Sequence, residues 1–217
     1  MMHFQPILLS ALAAVLVAAY TGPTYGEGYD FKFLSGGGGG GVPDRVKRVQ
    51  QAGAQICVDV KERRSASDNR VMFTLWSEIA HPDSRIAYVM LDTGRHVGIF
   101  SDVSIAMQAP GIKMKSQKPA PHAFLPTVNP SFAFGDPHPG GFAPGKFVML
   151  AATLGRGKTY ADVVMAMNEG VNPATATTGL RVAVIAHKMA GSEIAGSGTI
   201  SSDGGFVTRG VSRRCRR

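Results

Sequence analysis

The segment of this sequence that most resembles a chemical motif is Ala152 to Thr159 (ATLGRGKT). It fits the loosest form of a phosphate-binding loop, in which backbone N–H groups and a lysine hold phosphates and a threonine binds Mg²⁺. However, Ala152 replaces the first glycine of that motif, and no second strand ending in aspartate follows. Thr159 and Asp162 also have the spacing of a helix capping box, which explains the same residues without a nucleotide. We therefore predict a helix start here and no cofactor.

The histidines and acidic residues do not form a recognisable catalytic set. No two of the six histidines lie three or four residues apart, although His122 and His138 share one loop and could meet in space. Asp92, Asp102 and Asp136 flank turns; they either gather at one end of the fold or bond to the backbone of their own turns. No G-x-S-x-G motif is present. The sequence predicts no catalytic residues and no metal ligands.

The chain has two cysteines, Cys57 and Cys215, which exclude both a disulfide-dense scaffold and a zinc site built from cysteines. A disulfide between them would suit an oxidising compartment. Since Cys57 lies on a predicted strand and Cys215 in a terminal tail, the sequence leaves the pairing open.

Basic residues exceed acidic ones, 23 to 15, and the net charge is +8. Clustered cations attract anionic surfaces such as acidic polysaccharide, membrane headgroups or released nucleic acid. No nucleic-acid-binding motif accompanies them, so ordinary solvated faces are the competing interpretation. The candidate contacts for an anionic polymer are Arg45, Lys47, Arg48, Lys113, Lys115, Lys118, Arg213, Arg214, Arg216 and Arg217.

The amino-terminal part of the chain predicts export. Ile7 to Ala19 is an uncharged apolar run of 13 residues, which is too short to span a membrane but suits the core of a signal peptide. We predict a signal peptide over residues 1–19, with cleavage before Tyr20. Residues 20–42, which include six consecutive glycines, are predicted to be a flexible linker.

Alternation of apolar and polar residues dominates the rest of the chain, with strands predicted near residues 54–61, 71–76, 85–91, 97–107, 146–154 and 180–189. An amphipathic helix is predicted from Thr159 to Gly170. Residues 110–145, which lie between the strands predicted at 97–107 and 146–154, hold eight of the 13 prolines. So much proline predicts a long loop over the sheet. The fold class is mainly β: an antiparallel, jelly-roll-like β-sandwich over residues 43–208, followed by a basic tail over 209–217. One core should contain Phe73, Leu75, Ile86, Val163, Met167, Val182 and Val184.

Several segments, in the same order along the chain, resemble a family of uncharacterised secreted bacterial proteins of the PEP-CTERM-associated type. They include Val71 to Leu75, Ile86 to Asp92, Gly140 to Gly145, Leu180 to Val184 and Asp203 to Val207. The Pro-Glu-Pro sorting motif itself is absent, and Lys146 stands where the family usually has an acid. The resemblance implies an exported β-sandwich and implies no catalytic residues.

Three functions remain open on the sequence. The first is a non-catalytic exported protein of the cell envelope or extracellular matrix that binds an anionic polymer or protein partners. The second is an extracellular polysaccharide-active hydrolase or lyase with its site in the 110–145 loop. The third is an adhesion or matrix subunit that assembles through edge strands.

Overall fold

The computed structural model describes residues 26–37, 55–65, 68–78, 84–117, 128–136, 141–172, 174–175, 177–187 and 203–215. Within these ranges the chain forms ten strands, one α-helix (α1, Tyr160–Val171) and one 3-10 turn (Arg213–Cys215). The strands, numbered in chain order, are β1 Glu27–Gly37, β2 Ile56–Ser65, β3 Asp68–Ser77, β4 Arg85–Asp92, β5 Phe100–Gln108, β6 Lys115–Ser116, β7 Phe132–Gly135, β8 Phe147–Leu154, β9 Arg181–His187 and β10 Asp203–Val211.

All ten strands belong to one sheet, in which every pair is antiparallel and the order is β5-β8-β3-β2-β1-β10-β9-β4-β7-β6. The sheet curls until it nearly closes into a barrel-like sandwich. The predicted fold class, mainly β and antiparallel with one helix, is confirmed. Because β1 pairs with both β2 and β10, the first and last strands of the described chain lie side by side.

The prediction that residues 20–42 form a linker is wrong for Glu27–Gly37, which is β1. Tyr29 and Phe31 are fully buried and alternate with Asp30, a period-two pattern that places their rings in the core. Gly36 and Gly37 are held by pairing with β10. In the sequence, the abundance of glycine indicated a linker in spite of this short alternation. In the fold, pairing with β2 and β10 on both sides stabilises β1. The predicted signal peptide, residues 1–19, lies outside the described residues.

The proline-rich region contains more regular structure than predicted. Its two short strands, β6 and β7, occupy stretches without proline, and β7 lies between Pro130 and Pro137. Val128 packs with Met90, Ile185 and Val207 on the outer face of the sheet. This second apolar cluster covers the other face of β9, so that β9 is buried on both faces. The alternation in its sequence predicted burial on one face only.

Helix α1 begins and packs as predicted. Thr159 is its N-cap, and Thr159 and Asp162 form a capping box. Val163, Ala166 and Met167 point into the main core. All seven predicted core residues lie in that one cluster, so this prediction is confirmed.

Strand β5 is at one edge of the sheet and is irregular. The predicted strand or strands over residues 97–107 are one strand, because Val97 and Gly98 lie in the turn that precedes Phe100. Its pairing with β8 shifts register twice, between Phe100 and Asp102 and between Ile105 and Met107. Bulges of this kind twist an edge strand and hinder its pairing with another chain. This argues against assembly through β5.

Candidate functional site

Two basic segments that are far apart in sequence are linked by a series of contacts along one rim of the barrel. Lys146, just before β8, donates a hydrogen bond from Nζ to the carbonyl oxygen of Pro110 at 2.9 Å. The next contact along this rim joins Gly145 N to Ser77 O at 2.8 Å. Beyond it, Glu78 lies 3.7 Å from Arg214. We call this surface the basic end and define it by four exposed residues: Lys113, Lys146, Arg213 and Arg214.

The basic end brings together residues that the sequence predicted as separate clusters. Lys146 directly precedes β8, and the Arg213–Cys215 turn is joined to β2 through Cys57. These two strands are two places apart in the sheet, or about 10 Å at ~4.8 Å per strand. Lys115, two residues after Lys113, lies on β6 and is also exposed. Lys146, which was not predicted as a contact, lies between the two clusters. Of the other predicted contacts, Arg45, Lys47, Arg48, Lys118, Arg216 and Arg217 lie outside the described residues.

A disulfide between Cys57 and Cys215 fixes the Arg213–Cys215 turn against the sheet. Both cysteines are fully buried and pack with Trp76, and their Cα atoms are 5.1 Å apart. The prediction of a basic tail over residues 209–217 is therefore wrong for the described part of it. Residues 209–211 belong to β10 and residues 213–215 form the 3-10 turn, so Arg213 and Arg214 are held on a folded element.

Asp92 takes part in a buried network that the sequence did not predict. Its carboxylate pairs with Arg181 and accepts hydrogen bonds from Gly94 N at 3.0 Å and Asn129 N at 3.2 Å. Asp92 and Arg181 are both almost completely buried, where an ion pair must be well hydrogen-bonded to be tolerated. No sequence signal joined these residues, because they are 89 positions apart.

The three aspartates that could have gathered at one end do not do so. Asp102 is exposed on β5. The backbone N–H of Asp136 donates to Ala87 O, which is five residues along β4 from Asp92, or about 17 Å at ~3.3 Å per residue. Asp92 bonds to its own turn through Gly94, which agrees with the alternative of turn formation.

His96 lies in the turn after β4 and contacts the last part of α1. Its Nε2 is 2.9 Å from Glu169 Oε2, and Arg95 donates to Oε1 of the same carboxylate at 2.9 Å. These two hydrogen bonds, His96 first, lower the pKa of Glu169 below its usual range. The arrangement ties the turn to the helix. His122 and His138 lie outside the described residues.

The segment resembling a phosphate-binding loop is a helix cap in the structure. The backbone N–H and the hydroxyl of Thr159 both donate to Asp162 Oδ2 at 2.8 Å, and the pKa of Asp162 is lowered by these bonds. Gly157 adopts a φ of 73°, which permits the tight turn before the helix.

A groove of about 650 Å³ runs between the outward face of α1 and the start of β1. It was not predicted, because it depends on how β1 and α1 pack. Its lining includes Tyr160, whose hydroxyl donates to Val60 O at 2.8 Å. Burial, followed by the nearby carboxylates of Glu27, Asp59 and Glu62, raises the pKa of Tyr160 to about 12.

In the described part of the chain, no three His, Cys, Asp or Glu side chains are grouped so that they could hold a metal ion. The described helix is also not long and apolar enough to cross a membrane. No protein-family model, curated protein or solved structure matches this chain.

Proposed function

We propose that this protein is an exported, non-catalytic β protein of the cell envelope or extracellular matrix, and that its basic end binds a carboxylated or sulfated polysaccharide. The observation that carries the proposal is the position of Lys146 between Lys113 and the Arg213–Cys215 turn. Lys113, Lys146, Arg213 and Arg214 share this surface. An acidic residue, Glu78, lies beside it at 3.7 Å from Arg214. Cations on one surface add their potentials and attract an anionic chain that can contact several of them together.

Export is supported by two independent features. The apolar run Ile7 to Ala19 suits a signal peptide, and the Cys57–Cys215 disulfide is of a kind that persists in oxidising compartments. The resemblance to PEP-CTERM-associated secreted proteins points in the same direction, and we include membership of that group in the proposal.

The proposal that the protein is exported predicts that its signal peptide is removed. When the full sequence is expressed in a Gram-negative host, we expect the periplasmic or secreted protein to begin at Tyr20 or a close neighbour. Amino-terminal sequencing of the fractionated protein measures this. Unprocessed Met1 on protein found only in the cytosol would contradict export.

The polysaccharide-binding half of the proposal predicts weaker retention on heparin or alginate when two of the four cations of the basic end are neutralised. In the double variant Lys113→Gln/Lys146→Gln, we expect elution at clearly lower salt than the wild type. Retention of the wild type should disappear near 1 M salt, where the Debye length shrinks to ~3 Å.

The matched control is Arg156→Gln/Lys158→Gln, which removes the same two charges from exposed positions in the turn before α1. It should elute close to the wild type. If both double variants shift equally, net charge alone explains the retention and the basic end is not the site. If the wild type is not retained at low salt, polymer binding itself is wrong.

A further inference from the structure

The Arg213–Cys215 turn supplies two of the four cations of the basic end, yet it has little structure of its own. It is a 3-10 turn of three residues, closed by a hydrogen bond from Cys215 N to Ser212 O at 3.1 Å. A helix this short does not persist without outside contacts, because ordering its backbone costs more than one turn of hydrogen bonding returns. The positions of Arg213 and Arg214 therefore depend on what holds the turn to the sheet.

The disulfide is the covalent part of that hold. It joins Cys215 to Cys57 on β2, and the two cysteines form one buried cluster with Trp76. Phe147, the first residue of β8, packs against the same cluster and directly follows Lys146. The bond thus keeps the two arginines beside the strand that positions Lys146.

The other contacts of the turn are weaker. The backbone N–H of Ser212 donates to Gly28 O on β1 at 2.7 Å, and a single neutral hydrogen bond stabilises only modestly. Arg214 and Glu78 are 3.7 Å apart with both side chains close to half exposed, and ion pairs in water contribute little. We therefore expect the turn to leave the sheet when the cysteines are reduced.

Gly28 leaves the space that the turn occupies. A Cβ atom on Gly28 would lie 2.5 Å from the carbonyl carbon of Cys215 and 2.6 Å from Ser212 O. Both atoms belong to the backbone, which cannot rotate away as the end of a side chain can. A larger residue at this position would therefore displace the turn without altering a charge or a cysteine.

We propose that oxidation of Cys57 and Cys215 completes the basic end, so that the chain binds its anionic polysaccharide with four fixed cations only after the disulfide has formed. This inference rests on the proposed function and adds its regulation. In the reduced chain, Lys113 and Lys146 remain on the sheet while the two arginines move with a free segment. Ordering that segment on the polymer then costs conformational entropy, which weakens binding.

The oxidation is a thiol–disulfide exchange with a small disulfide such as oxidised glutathione. The thiolate of one cysteine attacks a glutathione sulfur, and the other glutathione leaves as a thiolate that takes up a proton. The thiolate of the second cysteine then attacks the sulfur of the first and displaces the bound glutathione. Two protein thiols are oxidised to one disulfide, and one glutathione disulfide is reduced to two thiols.

The test compares the salt at which four forms of the full mature chain elute from heparin: wild type and Arg213→Gln/Arg214→Gln, each oxidised and reduced. Circular dichroism at about 15 °C, near the usual temperature of maximum stability, checks that each form is folded. In the oxidised protein the double substitution should move elution to clearly lower salt. In the reduced protein the same substitution should have a much smaller effect, because the arginines have already left the surface.

The variant Gly28→Ala tests the same point in the oxidised chain. It should elute at lower salt than the wild type, and the emission of Trp76 should shift to longer wavelength as the turn moves away. Trp76 is the only tryptophan of the chain and is 1% exposed, so this shift reports the turn without any polymer. The matched control is Gly210→Ala on β10, where the nearest atom to a Cβ is Asp30 Oδ1 at 3.9 Å. It should match the wild type in both measurements.

Two results would overturn this inference alone. One is an equal effect of Arg213→Gln/Arg214→Gln in the oxidised and the reduced protein. The other is a shifted Trp76 emission in Gly28→Ala with unchanged elution, since the turn would then be displaced without any loss of binding. In both cases the oxidised wild type is still retained. Absence of that retention at low salt would instead refute the proposed function, and this inference with it.

Discussion

Removing the disulfide in the double variant Cys57→Ala/Cys215→Ala is expected to lower the free energy of unfolding by about 4 kcal/mol. The bond joins residues separated by 158 positions, so it removes a large amount of conformational entropy from the unfolded chain. The chain-entropy relation gives a limit of about 5 kcal/mol for a loop of this length. Natural domains have a total stability of about 5–15 kcal/mol, so the variant should be close to unfolding at 37 °C.

Urea unfolding followed by circular dichroism measures this difference. The wild type unfolded in the presence of dithiothreitol serves as the control, because the reduced chain should match the double variant. A midpoint that is the same for the oxidised wild type, the reduced wild type and the variant would contradict a stabilising role for the bond.

Replacing Val182 by Asp should destabilise the protein by about 4 kcal/mol or more. The side chain of Val182 is 0% exposed and lies in the main core, where its β9 position pairs with Leu91 on β4. A carboxylate there is removed from water without a partner. Arg181 cannot supply one, because adjacent residues of a strand point to opposite faces and Arg181 is held by Asp92.

The matched control is Val97→Asp. Val97 is 84% exposed in the turn before β5, so the same substitution there should change stability by no more than about 0.5 kcal/mol. Thermal and urea melts of both variants test the comparison. An unchanged melting temperature in Val182→Asp would mean that this residue is not in the core.

The local elements could largely be predicted from the sequence, because their signals are carried by neighbouring residues. Alternation located β2, β3, β4, β8 and β9 to within a few residues. The Thr159–Asp162 spacing located the start of α1. β1 was missed because the glycines around it indicate flexibility, and its stability comes from pairing with β2 and β10 rather than from its own composition.

The sequence by itself determined an antiparallel, mainly β chain with one capped helix, a single main core and an excess of positive charge. Only the tertiary structure decided which distant residues became neighbours. It paired Cys57 with Cys215 and Asp92 with Arg181, placed Lys146 between two basic segments and set Glu27 against α1. The physical reason is that periodicity records which face of an element is buried, whereas contacts between elements depend on strand order and register, which no local pattern specifies.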